Sequence, residues 1–356
     1  MRRAALCATV FAALMLAGSA QGATWKVLVG EQTKPPAGTP KGTTLNQFFP
    51  GQIDVNVGDK VTFQSRGFHT VSYLAGKPVG PAGFIPDPAK ALYENILDAD
   101  GQPFYFNGLP KFVFNLAAFA PSGPKVVANA RVNVSSGIIA PGPNGKPVSA
   151  TYTFPTQGGY KMICAIHPGM DMVVNVKATG APVQTAQDVA GRAKVEVDAA
   201  WAKAKTLAAA KTPANTVYQG VGGKTTILGF FPKELRVKVG TAVSFVNKAP
   251  SEPHNVAFGP KKYLDQFAKQ HDLFPMGPNS KNQAAPVHVY GTDPRGQYSY
   301  DGKNHGNGFF VTPLTDAVPA SPLPAVSRVT FTAPGRYHYI CFLHGPDMAG
   351  DIVVTP

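Results

Sequence analysis

Residues 152–176 read YTFPTQGGYKMICAIHPGMDMVVNV, and residues 329–354 read VTFTAPGRYHYICFLHGPDMAGDIVV. Each stretch reads as a strand, a Gly turn, a Tyr-containing alternating strand, a Cys-bearing loop and a final β-branched strand. Upstream of each lies a second matched block. FFPGQIDVNVGDKVTF at 48–63 recurs as FFPKELRVKVGTAVSF at 230–245. Ile53, Val55 and Val57 match Leu235, Val237 and Val239, Gly58 matches Gly240, and Val61 and Phe63 match Val243 and Phe245. Period-two alternation broken by Gly gives two half-buried strands joined by a turn. Two long units are too few for a stacked solenoid, so the pattern predicts an all-β chain with two tandem β-sandwiches.

The rest of the chain divides around these units. Arg2 and Arg3, an apolar run from Ala4 to Ala17, and small residues at Gly18, Ser19, Ala20, Gly22 and Ala23 read as an export peptide over residues 1–22. Its apolar core is too short to span a bilayer, and no other segment approaches that length. The expected location is therefore periplasmic or secreted, with no transmembrane segment after cleavage. The sandwiches are expected at 23–179 and 213–356. Between them, over 180–212, Val189, Ala193, Val197, Trp201, Ala204 and Ala208 fall three or four apart, which predicts an amphipathic helical connector closed by Thr212-Pro213. Each half holds a long Pro-, Gly- and aromatic-rich insert, at 75–145 and 260–325, of the kind that serves as a lid or docking loop.

The net charge is +13 over 356 residues and stays strongly basic without Arg2 and Arg3. That favours acidic partners through long-range steering. The Lys and Arg residues are scattered, with no run that would form a nucleic-acid patch.

Cysteine usage is the most informative count. Of the three, Cys7 leaves with the export peptide, while Cys164 and Cys341 stand alone, one per half. Lone thiols in an oxidising compartment call for an explanation, and metal ligation supplies one. Cys164-x-x-His167-x-x-Met170 and Cys341-x-x-His344-x-x-x-Met348 put a thiolate, an imidazole and a thioether on one tight loop. His69 in Gly67-Phe68-His69-Thr70-Val71 and His254 in Glu252-Pro253-His254-Asn255-Val256 fall at matching positions on what reads as the third strand of each repeat. One soft thiolate, two imidazoles and a thioether form the ligand set of a blue-copper electron-transfer site. Zinc is a poorer match, because structural zinc takes a closed tetrahedral site and Met is not among its usual ligands.

Cys164-x-x-His167-Pro168-x-Met170 and Pro253-His254-Asn255-Val256 resemble the cupredoxins, especially the amicyanin and plastocyanin types. The resemblance covers the strand blocks and omits the inserts. It implies two Greek-key cupredoxin β-sandwiches, each with one type 1 copper ion. By position, it makes His69, Cys164 and His167 equatorial ligands with Met170 axial, and His254, Cys341 and His344 equatorial with Met348 axial. Met172 competes with Met170 for the first axial place. The second domain has one extra residue before Met348. Thr70 stands where the second domain has Asn255, so the two sites are expected to differ in potential. His271, His288, His305 and His338 could form an additional metal site but read better as ordinary core or surface histidines.

The expected function is electron transfer with redox protein partners, the ring edges of His167 and His344 emerging in apolar patches. Pro168, Gly169 and Met170 would supply one patch, and Phe342, Leu343 and Pro346 the other. Copper handling is the alternative, although no Met-rich tract supports copper as cargo. A multicopper oxidase or nitrite reductase fits less well. Ile163 and Ile340 precede the cysteines where such enzymes carry a His, and His-x-His pairs are absent. No catalytic residue is assigned.

Overall fold

The computed structural model describes residues 22–31, 34–77, 84–91, 96–127, 132–142, 144–270, 283–296, 298–319 and 321–356. Residues 1–21 of the expected export peptide, and His271, lie outside them.

The first sandwich packs two sheets face to face. One has the strand order Val148–Thr153, Lys60–Ser65, Thr24–Val29, Phe48–Phe49; the other runs Gln52–Asn56, Asp171–Lys177, Gly158–Ile163, Ser72–Tyr73, Val134–Ser136, Pro121–Ser122. The chain leaves one sheet after Phe49 and joins the other at Gln52, then returns at Lys60 and crosses again at Ser72. Thr24–Val29 lies parallel to Lys60–Ser65, and Gln52–Asn56 parallel to Asp171–Lys177. These crossings make the Greek-key sandwich implied by the resemblance.

Alternation produces the core. Ile53 and Val55 in Gln52–Asn56, and Val61 and Phe63 in Lys60–Ser65, are fully buried, while their neighbours face out. Burial of such a side chain stabilises the fold by about 1.5–3 kcal/mol. Asp59, in the turn between these strands, accepts hydrogen bonds from Ala23 N, Asn56 N and Trp25 Nε1, which ties the first strand to the turn.

The second sandwich repeats the plan. Thr225–Phe231, Thr216–Gly222, Ala242–Lys248, Val326–Phe331 and Ser299–Tyr300 form one sheet; Glu234–Lys238, Gly345–Thr355, Gly335–Cys341, Ala257–Phe258 and Phe310–Val311 form the other. The first half extends the former sheet, because Thr43–Leu45 pairs with Thr225–Ile227.

The connector is the helix Ala186–Leu207. Thr185 caps it through a reciprocal box with Asp188, satisfying two otherwise unpaired amides. Val189, Ala193, Trp201 and Ala204 face inward as their spacing predicts; Trp201, Ala193 and Ala200 pack with Leu45 and Phe49. Ala208, expected on the same stripe, is instead the exposed C-cap, and the helix ends before Thr212-Pro213.

The described parts of the inserts pack into sheet and core. Phe84–Ala91 and Pro110–Phe114 of the first insert pair with each other, and Gln283–Ala284 of the second adds to Pro110–Phe114. Ile96, Phe104 and Phe106 are buried with Leu264, Phe267, Phe309 and Phe342 in a core made by both halves. The aromatics that made these segments look weakly periodic are this core.

Candidate metal centres

In each half one thiol and two imidazoles converge. His69, Cys164 and His167 form one cluster and His254, Cys341 and His344 the other, with the ligand-capable atoms of each within 4.8 Å of one another. Cys164 follows the strand Gly158–Ile163, and Cys341 ends the strand Gly335–Cys341. The His-bearing loops fold back over them, with Met170 N donating to His167 O and Cys164 N to Met170 O. His69 and His254 do not lie within a strand as expected. Each sits at a single bridge, to Ile139 and Thr315, just before the short strand that pairs with the cysteine strand.

In the first cluster His69 Nδ1 and His167 Nδ1 are 3.1 Å apart, and Cys164 Sγ is 3.4 Å from His167 Nδ1. In the second, His254 Nδ1 and His344 Nδ1 are 3.2 Å apart, and Cys341 Sγ lies 3.8 and 3.3 Å from them. A point equidistant from those three atoms lies about 2.0 Å from each, the length of a metal–imidazole bond. The donor set and its spacing therefore fit a metal ion.

Electrostatics favour the binding form. Burial alone would raise both thiols. For Cys164 the neighbouring His167 and His69 outweigh it, and for Cys341 His344 and His254 do, holding each well below the usual thiol range. Thiolate is the metal-binding form. The first imidazoles differ. Burial lowers both, yet His69 is raised overall by Cys164 and by Glu31 Oε2, 3.7 Å from its Nε2, whereas His254 stays lowered. His69 Nε2 and His254 Nε2 are alike in being buried without a hydrogen-bond partner among the described residues.

Gly30 and Gly220 occupy matching places, each at φ +67, against the far nitrogen of the first imidazole. A Cβ at Gly30 would stand 2.0 Å from His69 Nε2, and one at Gly220 2.7 Å from His254 Nε2.

Register places the methionines. Ile163 pairs with Asp171, so Met170 falls opposite Cys164 and Met172 opposite Met162, one step deeper. Ile340 pairs with Ala349, the residue after Met348, and the register then shifts so that Cys341 pairs with Gly345. Met170 and Met348 are both buried in the same cores as the cysteines.

Around the sulfurs, Thr70 and Asn255 do related work. Thr70 Oγ1 accepts from Ala165 N at 2.7 Å, and Asn255 Oδ1 accepts from Phe342 N at 2.8 Å, each pinning the cysteine loop. Thr70 N also donates to Cys164 Sγ at 3.3 Å, and its hydroxyl lies 3.8 Å from the sulfur. Asn255 instead turns its carbonyl oxygen to Cys341 Sγ at 3.7 Å.

The expected exposed ring edges are not found. His167 Nε2 lies 3.2 Å from Glu252 Oε1, and His344 Nε2 lies 3.6 Å from Glu252 Oε2. The two histidine side chains are only 9% and 18% exposed, and Glu252 13%. The loops face each other around one carboxylate, so each covers the other. Phe342 is buried against the inserts rather than forming an open patch. Nothing in the motif spacing marked Glu252, Glu31, Gly30 or Gly220; Glu252 was visible only as the residue two before His254.

The remaining described histidines do not gather. His288 is buried and stacks on Phe342 with ring centroids 4.4 Å apart. His305 lies between Asp98 and Asp293 at 3.2 and 3.1 Å, and His338 pairs with Asp351 at 3.0 Å.

The chain matches no protein-family model and no curated protein sequence. Among solved structures it is similar to auracyanin A, described as a "blue" copper protein from the green thermophilic photosynthetic bacterium Chloroflexus aurantiacus. The identity is 22% with a TM-score of 0.25, over 39% of this chain and 96% of that one. It is similar to an amicyanin variant in the Cu(I) state at 21% identity and a TM-score of 0.22, over 42% of this chain and 89% of that one. A purple cupredoxin from Nitrosopumilus maritimus is 16% identical with a TM-score of 0.22, over 40% of this chain and 100% of that one.

Proposed function

We propose that this chain is an exported electron-transfer protein with two type 1 copper sites, in sandwiches at 23–179 and 213–356 joined by a connector at 180–212. His69, Cys164 and His167 would hold one ion with Met170 axial, and His254, Cys341 and His344 the other with Met348 axial. One observation carries the reading. A triangle of one depressed-pKa thiol and two imidazole Nδ1 atoms is built twice, each time with a methionine buried in the same core as the cysteine.

When bound at such a site, copper alternates between Cu(I) and Cu(II). The protein's contribution is rigidity. The thiolates are fixed by the backbone and by Thr70 or Asn255, and the first imidazoles are pressed against Gly30 or Gly220. Ligands locked by their surroundings hold one geometry in both oxidation states. Thiols at 3% and 0% exposure favour a retained cofactor over copper carried as cargo, which needs exchangeable ligands. The basic mature chain favours acidic redox partners.

Single replacements test this. Cys164→Ser and Cys341→Ser should each lower bound Cu(II) from two per chain to one and remove one of two thiolate-to-copper absorption components. Two coppers retained in both variants would refute the ligand assignment.

A further inference from the structure

We infer that Glu252 joins the two metal centres into one unit, its carboxylate forming the path by which a single electron passes between the domains. The inference rests on the copper reading above.

The chemistry of the two imidazoles points this way. Each turns Nδ1 toward the thiolate of its own domain, so a metal held there leaves the ring proton on Nε2. Both Nε2 atoms face Glu252, one carboxylate oxygen apiece, at 3.2 and 3.6 Å. A ligating histidine commonly donates its second N–H to a carboxylate, which fixes the ring and tunes the metal. Here one carboxylate serves two rings in two domains.

The arrangement is not a by-product of duplication. Glu252 stands two residues before His254, and the matching residue before His69 is Gly67. The carboxylate therefore comes from the second domain alone. Its side chain is only 13% exposed, and each of its oxygens faces one imidazole nitrogen. A carboxylate at such depth costs several kcal/mol unless its oxygens are matched. Its backbone is held on both sides, with Glu252 N donating to Ala249 O and Asn247 Nδ2 to Glu252 O at 2.9 Å. From the first domain, Asn46 Nδ2 donates to Ser251 Oγ at 3.1 Å and approaches Glu252 Oε1 at 3.5 Å.

The ring edges that would otherwise meet a partner thus meet each other. With copper held by both ligand sets, one electron would pass from the reduced centre of one domain to the oxidised centre of the other. No bond is made or broken, no proton leaves the chain, and an external redox protein supplies or withdraws the net electron.

The test uses full-length mature protein loaded with two coppers and reduced by a pulse delivering less than one electron per chain. The thiolate bands then report redistribution. Wild type should show a first-order phase independent of protein concentration, slowed about tenfold or more in Glu252→Ala, ~1.4 kcal/mol of barrier. Glu252→Gln, whose amide oxygen can accept from only one ring, should fall between them. In the diamagnetic Cu(I) protein, the Nε2–H signals of both His167 and His344 should be downfield and slow to exchange, and both should move in Glu252→Gln. A phase that scales with concentration, or variants that equilibrate at the wild-type rate with both coppers bound, would overturn the relay and leave the copper assignment standing. Wild type lacking thiolate bands would overturn both.

Discussion

Gly30→Ala is expected to empty one metal site and spare the other. Gly30 sits at φ +67, where an L side chain is strained by about 1–3 kcal/mol. Its new Cβ would stand 2.0 Å from His69 Nε2 and 2.6 Å from His69 Cδ2, with Gly67 closing in from another side. The imidazole is only 2% exposed and has no room to retreat, so it must swing and carry Nδ1 away from Cys164 and His167. At about 2–4 °C per kcal/mol, ~2 kcal/mol of strain lowers the melting temperature of the metal-free protein by about 4–8 °C. Copper titration of the folded variant, followed by metal analysis and visible absorption, should then give one tightly bound copper per chain. The gentler Gly220→Ala, with its contact at 2.7 Å, should weaken the second site less. A Gly30→Ala protein that binds two coppers with unchanged spectra would refute the claim that this glycine seats His69.

Three further outcomes follow from the geometry. Met170→Gln should alter the spectrum and potential of the first site, whereas Met172→Leu should leave both unchanged; the reverse pattern, read by EPR, would transfer the axial role to Met172. Thr70→Val removes the acceptor of Ala165 N and a hydroxyl beside Cys164 Sγ. It should cost about 1–3 kcal/mol of stability and shift only the first site's potential, by about 40 mV for ~1 kcal/mol of lost hydrogen bonding; redox titration resolving two waves checks both points. His305 is lowered by burial but raised overall by Asp293 and Asp98, across the two inserts. A raised folded pKa gives stability that is full below the unfolded value of about 6.5 and lost as pH rises through the folded one. Melting temperatures of His305→Gln should lack that decline, and a pH profile parallel to wild type would contradict it.

Much of this was legible along the chain because it is local. Alternation in Ile53-x-Val55-x-Val57 and its partner marks half-buried strands, and ligands three residues apart on a loop after a strand can only converge. The Trp201 stripe marked the connector for the same reason. What the sequence hid depends on docking between distant segments. Glu252 gains its meaning from His167 of the other sandwich, and Thr43–Leu45 from an edge left open by Thr225–Phe231. Phe104, Phe106 and Phe309 show no helical or strand period, since they fill a core supplied largely by irregular chain from both inserts, which Leu264 and Phe267 join from the short helix Lys261–Gln270. The contrast between Thr70 and Asn255 was visible, but their shared task of holding the amide after the cysteine was not.

The most direct measurement is the visible and EPR spectrum of the mature protein after Cu(II) loading, with copper counted per chain. Two coppers, an intense thiolate-to-copper band and type 1 hyperfine splitting from both are the predicted result. A colourless protein, or one binding copper without that band, would contradict the account.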